Sequence, residues 1–278
     1  MDKLIQDKQK VAELINVFKK DGKDNFYIIS DFDKTLTKMF VGYQKMVTVI
    51  GQVRNGAYLS PEYVRQAHAL YDKYYPYEID SNLSRAEKSI KMSEWWMSHF
   101  KLLIDSGFNK GIIKDIVSKK TLKFREGASE FLGLLSKYQI PLIILSAAPG
   151  DMIQECLISE GMDYNNIHII ANFLEYDKKG QAIAVKEPII HSVNKGEIDI
   201  YRFPFAKTIV DRTNVIVMGD TVDDLDVLKS LKHKQSIKIG FLNPKLEDQL
   251  DIYKKNFDIL ILNDGGMGSI NNIINQIL

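Results

Sequence analysis

The chain has 278 residues, 45% hydrophobic and 26% charged, with 37 Lys and Arg against 36 Asp and Glu for a formal charge of +1. That composition suits a globular protein with room for one large or two modest domains. The balanced charge argues against nucleic acid or an anionic membrane as principal partner, and a single cysteine, Cys156, excludes a disulfide framework or a Cys-cluster zinc site.

No run of 18 apolar residues is present, and the first residues mix Lys3, Asp7, Lys8 and Lys10 with apolar ones, unlike a secretion signal. The cytoplasm is therefore the expected location. Residues 4–20 read as an amphipathic helix, with Leu4, Val11, Leu14, Ile15 and Phe18 at helical spacing. Asp21-Gly22-Lys23-Asp24 ends it. The apolar run Phe26-Tyr27-Ile28-Ile29 is too short for a helix and reads as a buried strand. It leads into Asp31-Phe32-Asp33-Lys34-Thr35-Leu36-Thr37, where alternation points Asp31 and Asp33 the same way.

Residues 39–119 show helical patterns and no convincing strand. Ser60 caps a helix with proline at its first position, running to about residue 74. Ser84 and Glu87 form a capping box that opens a second, through Trp95 and Trp96 to about residue 103. Residues 109–119 look like a third, while 41–59 support no functional reading. From Gly127 strands and helices alternate: helix 127–138, strand 141–145, helix 151–160, strand 167–171 and a hairpin around Asp177-Lys178-Lys179-Gly180. Short apolar strands at 215–218, 237–239 and 259–262 follow, separated by helical segments. The expected fold is α/β: a Rossmann-like parallel sheet with helices on both faces, from residues 1–38 and 120–278, split by a helical cap of residues 39–119.

Four stations carry chemistry. Two carboxylates side by side repel, so Asp31 and Asp33 call for a cation, a shared proton or a substrate that uses both. A hard divalent ion such as Mg2+ suits oxygen ligands and neutralises phosphate. One such carboxylate can attack phosphorus while its neighbour works as acid and base. Leu145-Ser146-Ala147-Ala148-Pro149-Gly150 joins a strand to a helix and offers a hydroxyl and backbone N–H groups to an anion. Lys195, in Asn194-Lys195-Gly196, is a cation in a polar turn. Gly219-Asp220, with Asp223 and Asp224 after it, follows an apolar strand. Taken singly, these read equally as a solvated turn, a strand–helix junction, a surface lysine and an acidic first helical turn.

The string Asp31-Phe32-Asp33-Lys34-Thr35-Leu36-Thr37 resembles the first motif of the haloacid dehalogenase superfamily of phosphohydrolases, and the other three stations match its later motifs in order. The resemblance implies Asp31 as nucleophile and Asp33 as general acid/base. It gives phosphate contacts to Ser146, with Ala147 beside it, and to Lys195. Mg2+ would sit on Asp31, Asp220 and the Asp33 main-chain carbonyl, with Asp224 supporting the metal shell.

In the inserted region, Tyr74-Tyr75-Pro76-Tyr77-Glu78-Ile79-Asp80 and Met92-Ser93-Glu94-Trp95-Trp96 offer aromatic faces and a carboxylate suited to a nucleobase, though several of these aromatics serve as core. Asp80 and Glu94 stay unassigned. This stretch is similar to the cytosolic type III pyrimidine 5'-nucleotidases within the superfamily, as are Leu122-Lys123-Phe124-Arg125-Glu126-Gly127, Ala171-Asn172-Phe173, Ile190-His191-Ser192-Val193-Asn194-Lys195 and Lys238-Ile239-Gly240-Phe241-Leu242-Asn243, from about residue 25 onward. Glu78 occupies the place of a cap glutamate that contacts the base, and Ser98 and His99 compete for a further base-recognition role. Lys34 and Ala148-Pro149 depart from the family pattern. The resemblance implies an Mg2+-dependent 5'-nucleotidase that hydrolyses nucleoside 5'-monophosphates, pyrimidine ones foremost, through an aspartyl phosphate. A phosphatase for phosphoserine or a sugar phosphate, and a non-catalytic binding protein, are the alternatives. The expected partner is the small-molecule substrate, with neither nucleic acid nor membrane involved and the chain acting as a monomer.

Overall fold

The computed structural model describes residues 3–80, 82–243 and 249–278. In chain order the first elements are β1 (Lys3–Ile5), α1 (Lys8–Asp21), β2 (Phe26–Ser30), β3 (Phe40–Val41), β4 (Gln44–Lys45) and the helices α2 (Val49–Asn55), α3 (Pro61–Ile79), α4 (Arg85–Asp105), α5 (Lys110–Ser118) and α6 (Ala128–Lys137). There follow β5 (Leu142–Pro149), α7 (Gly150–Ser159), β6 (Ile167–Asn172), β7 (Leu174–Tyr176), β8 (Ala182–Val185), β9 (Asn214–Gly219), β10 (Gln235–Leu242), α8 (Leu250–Asn256), β11 (Ile259–Leu262) and α9 (Gly268–Ile277).

Seven strands form the main sheet in the order β1-β11-β10-β9-β2-β5-β6. Every neighbouring pair is parallel except β1–β11. β2 and β9 are buried along their whole length, as their unbroken apolar runs require of strands covered on both faces. Alternation divides their side chains. Ile28, Ile144, Ile216 and Met218 face a core shared with α1, α6, α7 and α9, while Tyr27, Ile29, Ile143 and Val217 face Ile190, Ile198, Ile200, Ile209 and Val227. That second face is covered by 3₁₀ turns at Lys195–Glu197, Ile200–Arg202, Pro204–Thr208 and Val222–Ser230, where helical segments were expected. α8 covers it at the β10–β11 end.

The expected helix over 4–20 begins only at Lys8, where the Asp7 side chain caps the Lys10 N–H. Before it, Leu4 and Ile5 pack into different clusters on opposite faces of the sheet, which adjacent residues achieve only in an extended segment. α3 runs past residue 74 through Pro76 to Ile79. Pro76 is exposed, so water can serve the carbonyl that its missing N–H leaves free. Between β2 and β5 lies, besides the helices α2 to α6, a small antiparallel β3–β4 hairpin. Its two-residue strands are too short to leave an alternating pattern in the sequence. The hairpin around Asp177 forms as expected, from β7 and β8.

Candidate active site

In a parallel sheet the carboxyl ends of the strands share one edge, and here β2, β5 and β9, adjacent in the sheet, deliver Asp31, Ser146 and Asp220 to it. All three line a cavity of about 460 Å³ together with Asp33, Lys34, Ala147, Lys195 and Asp224. The Asp31 N–H donates to the Met218 carbonyl at 3.0 Å, extending the β2–β9 ladder to the loop that carries Asp31 and Asp33.

Lys195 is not the solvated lysine of an ordinary turn. It is 5% exposed, and its Nζ donates to Asp31 Oδ1 and Asp224 Oδ1, both at 2.6 Å. Burial alone would pull the ammonium down, but Asp224 and Asp31 beside it hold it above its usual range. Two glycines permit this approach. A Cβ on Gly196 would lie 2.7 Å from the Asp226 carbonyl oxygen, and one on Gly219 would lie 2.4 Å from the Asp224 carboxylate. Asp224 is fixed from its other side, where Oδ2 accepts from the Thr221 N–H at 3.0 Å and the Thr221 hydroxyl at 2.9 Å.

Burial pushes the Asp31 carboxyl up and Lys195 pulls it back. Asp33 is pushed up to about 7 by burial and by the charge of Asp31. Burial also takes Asp220 to about 7, against the pull of Lys34, whose Nζ stands 3.7 Å from it. Lys34 itself is raised, chiefly by Asp220. It has a left-handed backbone, φ 61°. Arg125 fastens this loop from below. Its side chain is buried, its Nε donates to the Thr35 carbonyl at 2.8 Å, and it pairs with Asp264 at 3.0 Å.

Asp31, Asp33, Asp220 and Asp224 carry four negative charges when ionised and Lys34 and Lys195 two positive ones, an excess of two negative charges in a buried cleft. An oxygen-rich site with that excess fits a hard divalent cation. Among the described residues no three His, Cys, Asp or Glu side chains are drawn together as a metal cage. That is compatible with two carboxylates and a main-chain carbonyl as donors, because the Asp33 carboxylate is engaged elsewhere. Its Oδ1 accepts from the Val49 N–H at 3.0 Å, at the first residue of α2. Sequence reasoning missed this contact, which involves a backbone group in the stretch 41–59. The visible signal was Thr48, an N-cap whose hydroxyl accepts from Gly51.

Ser146 stands inside β5, not after it as expected. The strand continues to Pro149 across a break in register after Leu145, and the Ser146 hydroxyl accepts from the Ala148 N–H at 3.2 Å. The far wall of the cavity is Tyr71, Tyr75 and Glu78 from α3, Trp95, Trp96 and His99 from α4, Arg54 from α2, and Lys45, Met46, Val47, Thr48 and Ile50. Of the two competing residues on α4, His99 lines the cavity. Ser98 does not, because its hydroxyl donates back to the Glu94 carbonyl at 2.7 Å. Tyr63 Oη lies 3.1 Å from His99 Nε2, and burial, with the nearby Arg54 charge, lowers the imidazole to about 4, so it is neutral.

The family model described as pyrimidine 5'-nucleotidase (UMPH-1) matches residues 34–278. The chain is 31% identical to the 7-methylguanosine phosphate-specific 5'-nucleotidase of Gallus gallus, over 99% of this chain and 95% of that protein. It is 31% identical to the Homo sapiens protein of the same name, over 99% of this chain and 92% of that one. Among solved structures, cytosolic 5'-nucleotidase IIIB bound to cytidine superposes with a TM-score of 0.91 at 28% identity, covering 99% of this chain and 93% of that one. A substrate-bound phosphoserine phosphatase, at a TM-score of 0.52 and 17% identity over 90% of this chain and 97% of that one, shares the fold. No helix among the described residues is long and apolar enough to cross a membrane. With a strand-end aspartate pair, a buried lysine and a match over most of its length, the chain belongs to the pyrimidine 5'-nucleotidase family of phosphoric monoester hydrolases.

Proposed function

We propose that the protein is an Mg2+-dependent phosphohydrolase that releases phosphate from nucleoside 5'-monophosphates, pyrimidine nucleotides foremost, with residues 1–38 and 120–278 as catalytic core and 39–119 as cap. The observation that carries this reading is the buried Lys195 ammonium held between Asp31 and Asp224, with Asp33 beside it and Asp220 on the next strand. The pair with Lys195 favours ionised Asp31, a carboxylate free to attack phosphorus in line and form an aspartyl phosphate. Asp33, with its proton held up to about 7, protonates the departing 5'-oxygen and then takes a proton from the water that opens the aspartyl phosphate. Lys195 and the Ser146–Ala147 turn hold the phosphoryl oxygens. Asp31, Asp220 and the Asp33 carbonyl would hold Mg2+, which when bound neutralises charge on the phosphoryl group.

Base recognition falls to the cap, with Glu78 accepting from an exocyclic amine or ring N–H and the tryptophans stacking on the ring. A structural neighbour bound to cytidine supports a nucleoside-containing substrate, and the names of the relatives support a cytosolic location. The test is phosphate release from CMP, UMP, AMP, GMP, phosphoserine and glucose 6-phosphate, with Mg2+ and with EDTA, by wild type, Asp31→Asn and Glu78→Ala. Turnover of CMP or UMP that needs Mg2+ and Asp31, and that Glu78→Ala weakens, is the expected result. Turnover confined to phosphoserine or the sugar phosphate would overturn the nucleotide assignment and keep the core chemistry.

A further inference from the structure

Arg54 closes α2 and lines the cavity, yet nothing in the phosphate chemistry uses it. The arginine ion pairs among the described residues belong to Arg65, Arg85, Arg125 and Arg202, and Arg54 is in none. Its Nε is buried without a hydrogen-bond partner. That nitrogen is costly to hold in that state, since a buried donor without a partner forfeits its hydration. Burial accordingly lowers its affinity for the proton. What steadies it is the Tyr71 ring, whose centroid is 4.3 Å from the guanidinium carbon. Tyr71 is also stacked on Tyr75 at 4.8 Å. With both partners in place, Tyr71 is not the ring on which a base lies.

We propose that Arg54 is a specificity-determining residue that selects a neutral base with an acceptor edge and rejects a base that carries a positive charge. The assignment rests on the nucleotidase reading of the site. Glu78 on α3 offers an acceptor, whereas Arg54 offers N–H donors beside a neutral imidazole, His99. Cytosine, uracil and guanine each present a donor next to carbonyl or ring-nitrogen acceptors, and the guanidinium fork matches such acceptors. 7-Methylguanine carries positive charge on its imidazole ring, which a guanidinium that makes no ion pair among the described residues repels. Like charges at neighbouring-group distance in such a site are worth at least about tenfold in affinity. The relatives named for 7-methylguanosine phosphate make this base the informative probe.

The experiment compares wild type, Arg54→Gln and Arg54→Lys, below neutral pH where 7-methylguanine is fully cationic. Two readouts are taken: kcat and KM for CMP, GMP and 7-methyl-GMP, and direct binding of cytidine, guanosine and 7-methylguanosine. Wild type is expected to favour guanosine over 7-methylguanosine, and GMP over 7-methyl-GMP, by tenfold or more. Arg54→Gln should erase that ratio and raise KM for CMP. Arg54→Lys, which keeps the charge without the fork, should retain rejection of the cationic base and still lose affinity for CMP. Nucleoside binding needs no turnover, so it decides the assignment even if the phosphatase chemistry fails. Equal affinity of wild type for guanosine and 7-methylguanosine, a ratio untouched by Arg54→Gln, or no nucleoside binding at all would overturn it.

Discussion

Replacing Lys195 with methionine tests whether the centre of the site is a charge-balanced unit. The substitution keeps the length of the side chain and removes an ammonium that sits 2.6 Å from both Asp31 and Asp224. Those carboxylates are 9% and 6% exposed, so water does not replace the lost partner. Breaking a buried pair from one side costs about 3 to 5 kcal/mol, because the partner is left charged and dry. With a urea slope of about 3 kcal/mol/M for a chain of this size, the unfolding midpoint should fall by about 1 to 1.7 M. The assay is urea unfolding at neutral pH in EDTA, with phosphate release measured in parallel. Adding Asp224→Asn removes one of the two stranded charges, so the double variant should be more stable than Lys195→Met alone while remaining inactive. The pH dependence has a definite sign. Without its cation the folded-state pKa of Asp31 rises further above the unfolded value, so its cost is present at neutral pH and is relieved as pH falls. The gap to wild type should therefore narrow under mild acid. A loss below about 1 kcal/mol, the size expected of an exposed ion pair, would refute the argument, as would a double variant that simply adds the two single losses.

Three other substitutions probe the supports of the site. Val49→Pro removes the N–H that holds Asp33 at a first helical position where proline is tolerated but also alters a buried core side chain, so the protein should fold with a lowered midpoint and lose tenfold or more in kcat for CMP; unchanged kcat would mean the contact does not orient the acid. Gly219→Ala places a Cβ where the Asp224 carboxylate lies, which should cost about 1 to 3 kcal/mol in thermal or urea unfolding and release Lys195, seen as a large loss of phosphate release. His99 has a folded-state pKa of about 4 against an unfolded value of about 6.5, so burying it neutral contributes stability that is whole above pH 7 and is lost as pH falls from about 6.5 toward 4, to a limit of about 3 kcal/mol. Urea midpoints of wild type and His99→Gln taken from pH 8 to pH 4 should converge toward acid, and parallel curves would contradict the buried, neutral imidazole.

The catalytic side of the site was legible because its chemistry is written in side chains at strand ends. Apolar runs locate β2, β5 and β9, and the residues after or within them are the ones the sheet brings together. What escaped reading depends on backbone atoms or on a single turn of structure. The Val49 N–H has no identity in a sequence, and the hairpin before it is too short to show a pattern. β1 was absorbed into the helix that follows because Leu4 fits a helical spacing as well as an extended one. The choice between Ser98 and His99 was decidable in principle. At about 100° per residue, His99 falls between Trp95 and Trp96 on the face of α4, whereas Ser98 falls outside that arc, as the cavity lining bears out. Arg54 gave no signal because an arginine in a poorly patterned stretch reads as surface until the aromatic and the empty acceptor list around it are known.

These overlooked features belong together. α2 is a seven-residue helix whose first residue holds the Asp33 carboxylate and whose sixth, Arg54, lies on Tyr71 in the cavity wall. Neither end is joined to the sheet by a strand; α2 is positioned by the apolar Val49 and Val53, both fully buried in the main core. A base that engages Arg54 therefore acts on the same short rigid body that sets the rotamer of Asp33. Interactions with the non-reacting part of a substrate accelerate chemistry only where they are spent on arranging the reacting groups. α2 supplies the physical link by which base binding can do this, and it explains why a stretch so plain in sequence occupies the middle of the site.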